Sequence, residues 1–139
     1  MRKIAVVTGT RAEWGLLRPV CEAIRAERGL ALQVVAGGAH LLAPARTIDE
    51  VRAFAPALVE FPMQVAGENG RLADARALGR GIAVLAEHFA AIAPDIVVVL
   101  GDRIEAFAAA SAAAIGGIRV AHIHGGDRAE GVADESMRH

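Results

Sequence analysis

Apolar residues in this chain gather into five short runs, one of them, Val97 to Leu100, without a polar break, and between the runs they recur every three or four positions. The runs are Ile4 to Thr8, Leu30 to Val35, Leu58 to Phe61, Val97 to Leu100 and Arg119 to Ile123. All five read as strands, and the continuous run Val97 to Leu100, closed by Gly101, reads as a strand buried on both faces, as in a parallel sheet. The intervening stretches read as helices. Leu17, Val20, Cys21 and Ile24 predict a helix from Leu16 to about Arg28, with Pro19 near its start and Gly29 past its end. Gly9 to Gly15 reads as a loop leading into it, and Ala39 to Ala45 as a loop carrying His40 and Pro44. Thr47 with Glu50 three residues on predicts a capping box for a short helix. The longest helix is predicted from about Leu72 to Ile92, with Leu72, Ala75, Leu78, Ile82, Leu85, Phe89 and Ile92 as its buried stripe. Gly79 and Gly81 weaken that helix by roughly 1 kcal/mol each and read as close-packing points. A further helix spans about Ile104 to Ile115, its buried side mostly Ala with Phe107 and Ile115, and another starts near Asp134.

Strands alternating with helices predict right-handed βαβ units: an α/β, Rossmann-like three-layer fold with a parallel sheet. The commonest strand order, 3-2-1-4-5, reverses between strands 1 and 4, and ligands bind where it reverses. Three polar, glycine-rich loops then meet in one crevice: Gly9 to Gly15, Gly101 to Arg103, and His124 to Glu135.

Composition narrows the classes. At 139 residues the chain suits one domain, and 54% hydrophobic with 22% charged residues excludes a disordered chain. A net charge of −1 speaks against a general nucleic-acid binder or a polybasic membrane binder. Cys21 is the one cysteine, so no internal disulfide, cysteine zinc site or CxxC pair is available, and a reducing cytoplasm fits. No apolar run reaches the roughly 18 residues of a membrane helix. The run after Met1-Arg2-Lys3 is too short for the core of a signal peptide.

The loops carry the candidate chemistry. Neither nucleotide fingerprint is met: Gly9 and Gly15 are too far apart for G-x-G-x-x-G, and Leu16 stands where a P-loop needs Lys. Arg11 either meets an anion beside the helix N–H groups or pairs with Glu13 at the surface. Asp102, one residue past Gly101 at the strand end, is either a reactive carboxylate or the cap of the next helix. His122 and His124 alternate along a strand and so share a face, and with Asp127 they are the one plausible metal-ligand set. His40 and His88 read as structural or solvated. Asp134-Glu135 is either an acid/base pair or a favourable charge at a helix start.

Taken in order, Gly9-Thr10-Arg11-Ala12-Glu13, Gly101-Asp102-Arg103, His122-Ile123-His124-Gly125-Gly126-Asp127 and Asp134-Glu135-Ser136-Met137-Arg138-His139 resemble the UDP-N-acetylglucosamine 2-epimerase family, its hydrolysing branch most closely. The likeness runs from residue 4 to the last residue. It implies the N-terminal half of a GT-B fold: residues 1–139 as one Rossmann-like domain, with the C-terminal domain absent from this chain. It also implies a cytoplasmic enzyme of sialic-acid-type sugar synthesis, a homo-oligomer when full length. The implied reaction on UDP-N-acetylglucosamine removes the proton at sugar carbon 2, expels UDP to leave a glycal, and adds water to release N-acetylmannosamine. No metal or cofactor is implied, and the partner is the UDP-sugar. By motif position Asp102, His124, Asp134 and Glu135 resemble the catalytic acid/base groups. Arg11, Gly101, Arg103, Ser136, Arg138 and His139 resemble the substrate-binding ones. Many relatives carry Glu where His124 stands. Two alternatives are a non-catalytic nucleotide-sugar binding module and an epimerase of a UDP-2,4-diacetamido sugar.

Overall fold

The five apolar runs become five strands in the computed structural model, which describes residues 1–43 and 46–124. They are β1 (Arg2–Thr8), β2 (Leu30–Gly37), β3 (Val59–Phe61), β4 (Ile96–Leu100) and β5 (Arg119–Ile123). Helices α1 (Arg11–Ala26), α2 (Ile48–Phe54), α3 (Arg71–Ile92) and α4 (Ile104–Ile115) connect them, with a 3-10 turn over Gly38–Leu41. Every strand pair is parallel, in the expected order β3-β2-β1-β4-β5. In register, Val6 of β1 stands between Val34 of β2 and Val98 of β4.

Alternate strand residues serve opposite cores, which is why β4 and the inner part of β1 have no polar break, whereas β2, β3 and β5 carry Gln33, Glu60 and His122. Ile4, Val6, Val34, Val98 and Leu100 pack under Trp14, Leu17 and Cys21 of α1 and Ile48 and Val51 of α2. Ala5, Val7, Val35, Val97 and Val99 pack on the other face, under α3 and α4, with Phe61 and Met63.

Several local expectations are corrected. Helix α1 begins at Arg11 rather than Leu16, because Thr10 caps it: Thr10 Oγ1 accepts the Glu13 N–H at 3.2 Å. Pro19 consequently lies inside the helix and not near its start. The capping box at Thr47 does not form, since Thr47 has a helical backbone (φ −71°, ψ 0°) and its hydroxyl is spent on His40. On α3 the buried row is Ala73, Ala77, Gly81, Leu85, Phe89 and Ile92, while Leu72 is 76% exposed. Ala75 is exposed as well. The first half of the row, Ala73, Ala77 and Gly81, is small, and Met63 lies against Gly81, where a Cβ would come 2.6 Å from Met63 Cγ. Gly79 has no such neighbour, so only Gly81 is a close-packing point. On α4 the buried side is Ala106, Ala108, Ala109, Ala112 and Ala113 with Glu105, whereas Phe107 and Ile115 face solvent. Small residues there let α3 and α4 lie together on one face of the sheet.

Candidate active site

The C-terminal ends of β1, β2, β4 and β5 form one rim. Because β1 and β4 are neighbours, Arg11 at the first turn of α1 and Asp102 just after β4 flank the same part of it. Gly101 turns the chain there with φ +79°, a left-handed value that favours glycine. Its N–H donates to the Ile123 carbonyl at 3.0 Å, and its own carbonyl accepts from His122 Nε2 at 2.6 Å. The β4 loop is thereby tied to the end of β5. A carbonyl can only accept, so the His122 proton is on Nε2.

Arg103 occupies the N-cap position of α4, so Asp102 sits one residue outside the helix and does not fill the cap. Strand β5 ends at Ile123, and His124 takes a left-handed φ of 60°. The strand alternation that would align His122 with His124 therefore stops one residue short. Among the described residues no three His, Cys, Asp or Glu side chains are grouped to hold a metal ion. Arg11 pairs with Glu50 Oε1 at 3.3 Å and not with Glu13; both partners are mostly exposed.

Glu13 has turned inward. Its Oε1 accepts the Gly9 N–H at 2.9 Å, a capping box displaced by one residue. Burial pushes its pKa up from 4.5 to about 7; the Gly9 hydrogen bond opposes this, the Glu105 charge adds to it, and Arg103 opposes it.

A second buried carboxylate, Glu105, lies at the first turn of α4 with no exposed surface. Its Oε2 accepts from the Ala39 N–H and from Gln64 Nε2, each at 3.1 Å. Its Oε1 accepts from Arg103 Nε at 3.3 Å. Gly9 and Gly38 close over it, and a Cβ on either would overlap the Glu105 side chain. The sequence pattern does not single out Glu105. Its one visible signal is a lone acid at the head of an Ala-rich helix.

His40 is also fully buried, in keeping with a structural role. Its Nε2 is hydrogen-bonded to Thr8 Oγ1 at 2.9 Å and its Nδ1 to Thr47 Oγ1 at 2.7 Å, so both ring nitrogens are satisfied, one donating and one accepting. Burial lowers the His40 pKa from 6.5 to about 4, against the opposing pull of Glu105 and Glu50. His88 is half-buried and donates from Nε2 to the Glu60 carbonyl at 2.6 Å.

Glu13 and His40 pull stability in opposite directions with pH. His40 is neutral when folded and protonated when unfolded between about pH 4 and 6.5, so its contribution is full above 6.5 and is lost as pH falls through that window. Glu13 keeps its proton to about pH 7 when folded but loses it near 4.5 when unfolded, so its contribution is lost as pH rises. Between 4.5 and 6.5 the two slopes cancel. Glu13→Gln should leave the His40 slope alone, raising stability by about 2 kcal/mol from pH 4.5 to 6.5 relative to the wild type. Urea melts at both pH values measure this; parallel behaviour of the two proteins would contradict it.

Of the site residues expected from the motifs, Arg11, Gly101, Asp102, Arg103 and His124 are brought to this rim. Asp127, Asp134, Glu135, Ser136, Arg138 and His139 lie outside the described residues. The family profile for UDP-N-acetylglucosamine 2-epimerase matches residues 22–139. The chain belongs to that family. A GDP/UDP-N,N'-diacetylbacillosamine 2-epimerase (hydrolyzing) from Campylobacter jejuni is 34% identical over 139 residues, spanning 99% of this chain and 36% of that protein. A UDP-N,N'-diacetylbacillosamine 2-epimerase (hydrolyzing) from Legionella pneumophila is 38% identical over 141 residues, spanning 100% of this chain and 37% of that protein. The crystal structure of UDP-GlcNAc 2-epimerase from Neisseria meningitidis bound to UDP-GlcNAc matches with a TM-score of 0.79 at 24% identity, over 98% of this chain and 36% of that one. That likeness bears on the fold. The chain spans little more than a third of the length of these epimerase-family relatives.

Proposed function

We propose that residues 1–139 are the N-terminal Rossmann-like domain of a two-domain, GT-B-type hydrolysing 2-epimerase of a UDP-2-acetamido sugar. The observation that carries this is that the loops bearing Arg11, Asp102 and Arg103 leave the adjacent C-terminal ends of β1 and β4, in a chain of this family. A base removes the carbon 2 proton, the bond from carbon 1 to the diphosphate oxygen breaks with its electrons leaving on UDP, and a glycal remains. Water then adds hydroxyl at carbon 1 and a proton at carbon 2, freeing the epimerised sugar. Asp102, His124, Asp134 and Glu135 serve as acid/base groups. Arg11 and Arg103 meet the departing diphosphate, with Gly101, Ser136, Arg138 and His139 in contact with substrate. Arg11 can leave Glu50 for an anion at small cost, since a pair this exposed is worth little. Cys21 is a free, buried thiol, which fits a reducing cytoplasm.

The names of the Campylobacter and Legionella relatives favour a UDP-2,4-diacetamido sugar as substrate. The family description favours UDP-N-acetylglucosamine, which would yield N-acetylmannosamine for sialic-acid-type synthesis. Both need the same chemistry at carbons 1 and 2. Full-length protein incubated in D2O with each UDP-sugar tests both readings. The expected result is UDP plus a free sugar deuterated at carbon 2, formed faster from one substrate. Product still joined to UDP would contradict the hydrolytic step. Binding without turnover would favour a non-catalytic sugar-nucleotide module.

A further inference from the structure

We infer that Glu105 is a positioning residue of this site, a buried clamp that draws three loops together and orients Arg103; the catalytic part of this rests on the function proposed above. The three donors on its carboxylate come from three separate places: Ala39 after β2, Gln64 after β3 and Arg103 after β4. A fourth segment, the loop after β1, closes on it through Gly9. Taking a carboxylate out of water is costly, and an apolar side chain fills such a space with less penalty. What an apolar side chain cannot do is fix the donors that point at it.

Arg103 is the donor that matters for chemistry. Its Nε is held at 3.3 Å by Glu105, while the side chain is half exposed. It lines a cavity of about 220 Å³ together with Ala39, Leu42, Gln64, Asp74 and Ile104. A guanidinium gripped at Nε has its plane fixed and presents the two terminal nitrogens as a fork, the geometry that suits phosphate oxygens. Glu105 thus aims a planar donor without touching substrate. The glycines are part of the same device, because a side chain at Gly9 or Gly38 would push the carboxylate away from its donors.

The test uses full-length protein and a double-mutant cycle. Glu105→Gln should lower kcat about 10-fold with KM for the UDP-sugar nearly unchanged, since the fork acts on charge that develops as UDP leaves. Arg103→Ala should lower kcat by about 10²-fold, and adding Glu105→Gln to it should cost nothing more. Multiplicative losses in the double variant, or a wild-type kcat in Glu105→Gln, would overturn the proposal. Should Glu105→Gln fold poorly, Arg103→Lys carries the test with Glu105 intact. It keeps the charge but has no Nε to be gripped, so it should lose about as much as Glu105→Gln, and a wild-type kcat would refute the orienting role. Hydrogen exchange reads the clamp without turnover: the Ala39 amide should exchange faster in Glu105→Gln, and unchanged exchange would also overturn it. Faster exchange in a protein whose wild type turns over neither UDP-sugar would fail the functional reading and keep the loop clamp.

Discussion

Asp102→Asn in the full-length protein is expected to reduce turnover by a factor of about 10² to 10⁴ while leaving the thermal melt nearly unchanged. The first half follows from place and chemistry. Asp102 stands just past β4, next to the end of β1 and to a β4 loop tied to β5 by Gly101. A carboxylate there can take or give the proton that carbon 2 exchanges, and an amide cannot. The second half follows from the helix geometry. Asn has the shape of Asp and keeps one acceptor oxygen, and the N-cap position of α4 is held by Arg103, so the substitution leaves folding intact. Steady-state kinetics and a melt on the same preparation separate the two. Near-normal turnover would show that Asp102 is not an acid or base of the reaction.

Residues 1–139 expressed alone are expected to melt cooperatively and to release no sugar from a UDP-sugar at a measurable rate. Each face of the sheet packs a buried apolar core under helices, the layered arrangement of a domain that folds as a unit. In the two-domain enzyme proposed above, the rim at these strand ends is one wall of the site. Without an opposing domain, water is not excluded and the reacting atoms are not held in line, and positioning of that kind supplies several kcal/mol of barrier reduction. Calorimetry with a product assay on the isolated chain checks both halves. A broad, non-cooperative melt would refute the folding claim, and turnover near that of the full-length protein would show that these loops suffice.

Glu13 and Arg11 show how a local rhythm can mislead. A Thr10–Glu13 spacing signals a helix cap, yet the apolar rhythm begins at Leu16 and so places the helix start five residues late. Once α1 starts at Arg11, Glu13 falls on its inner side and accepts the Gly9 N–H, which leaves Arg11 to find Glu50 on α2. Thr47 and His40 form a similar case. The Thr47–Glu50 spacing fits a capping box, but a buried imidazole with an unmet nitrogen is the stronger claimant for that hydroxyl.

By itself the sequence determined the sheet. Five mainly apolar runs and the turn residues between them were enough to set strand number, direction and order, because strands alternating with helices make βαβ units and right-handed crossovers leave few topologies. That order alone put the loops that carry Arg11 and Asp102 at the ends of neighbouring strands. Tertiary structure decided which helix faces are buried and which polar groups work inside. Leu72, Phe107 and Ile115 satisfy a helical rhythm and still face solvent, because α3 and α4 meet the sheet and each other through small residues. Glu105 could not be found by spacing, since its donors at Ala39 and Gln64 lie 66 and 41 residues away. A buried charge is defined by the partners that surround it, and only the folded chain brings those partners together.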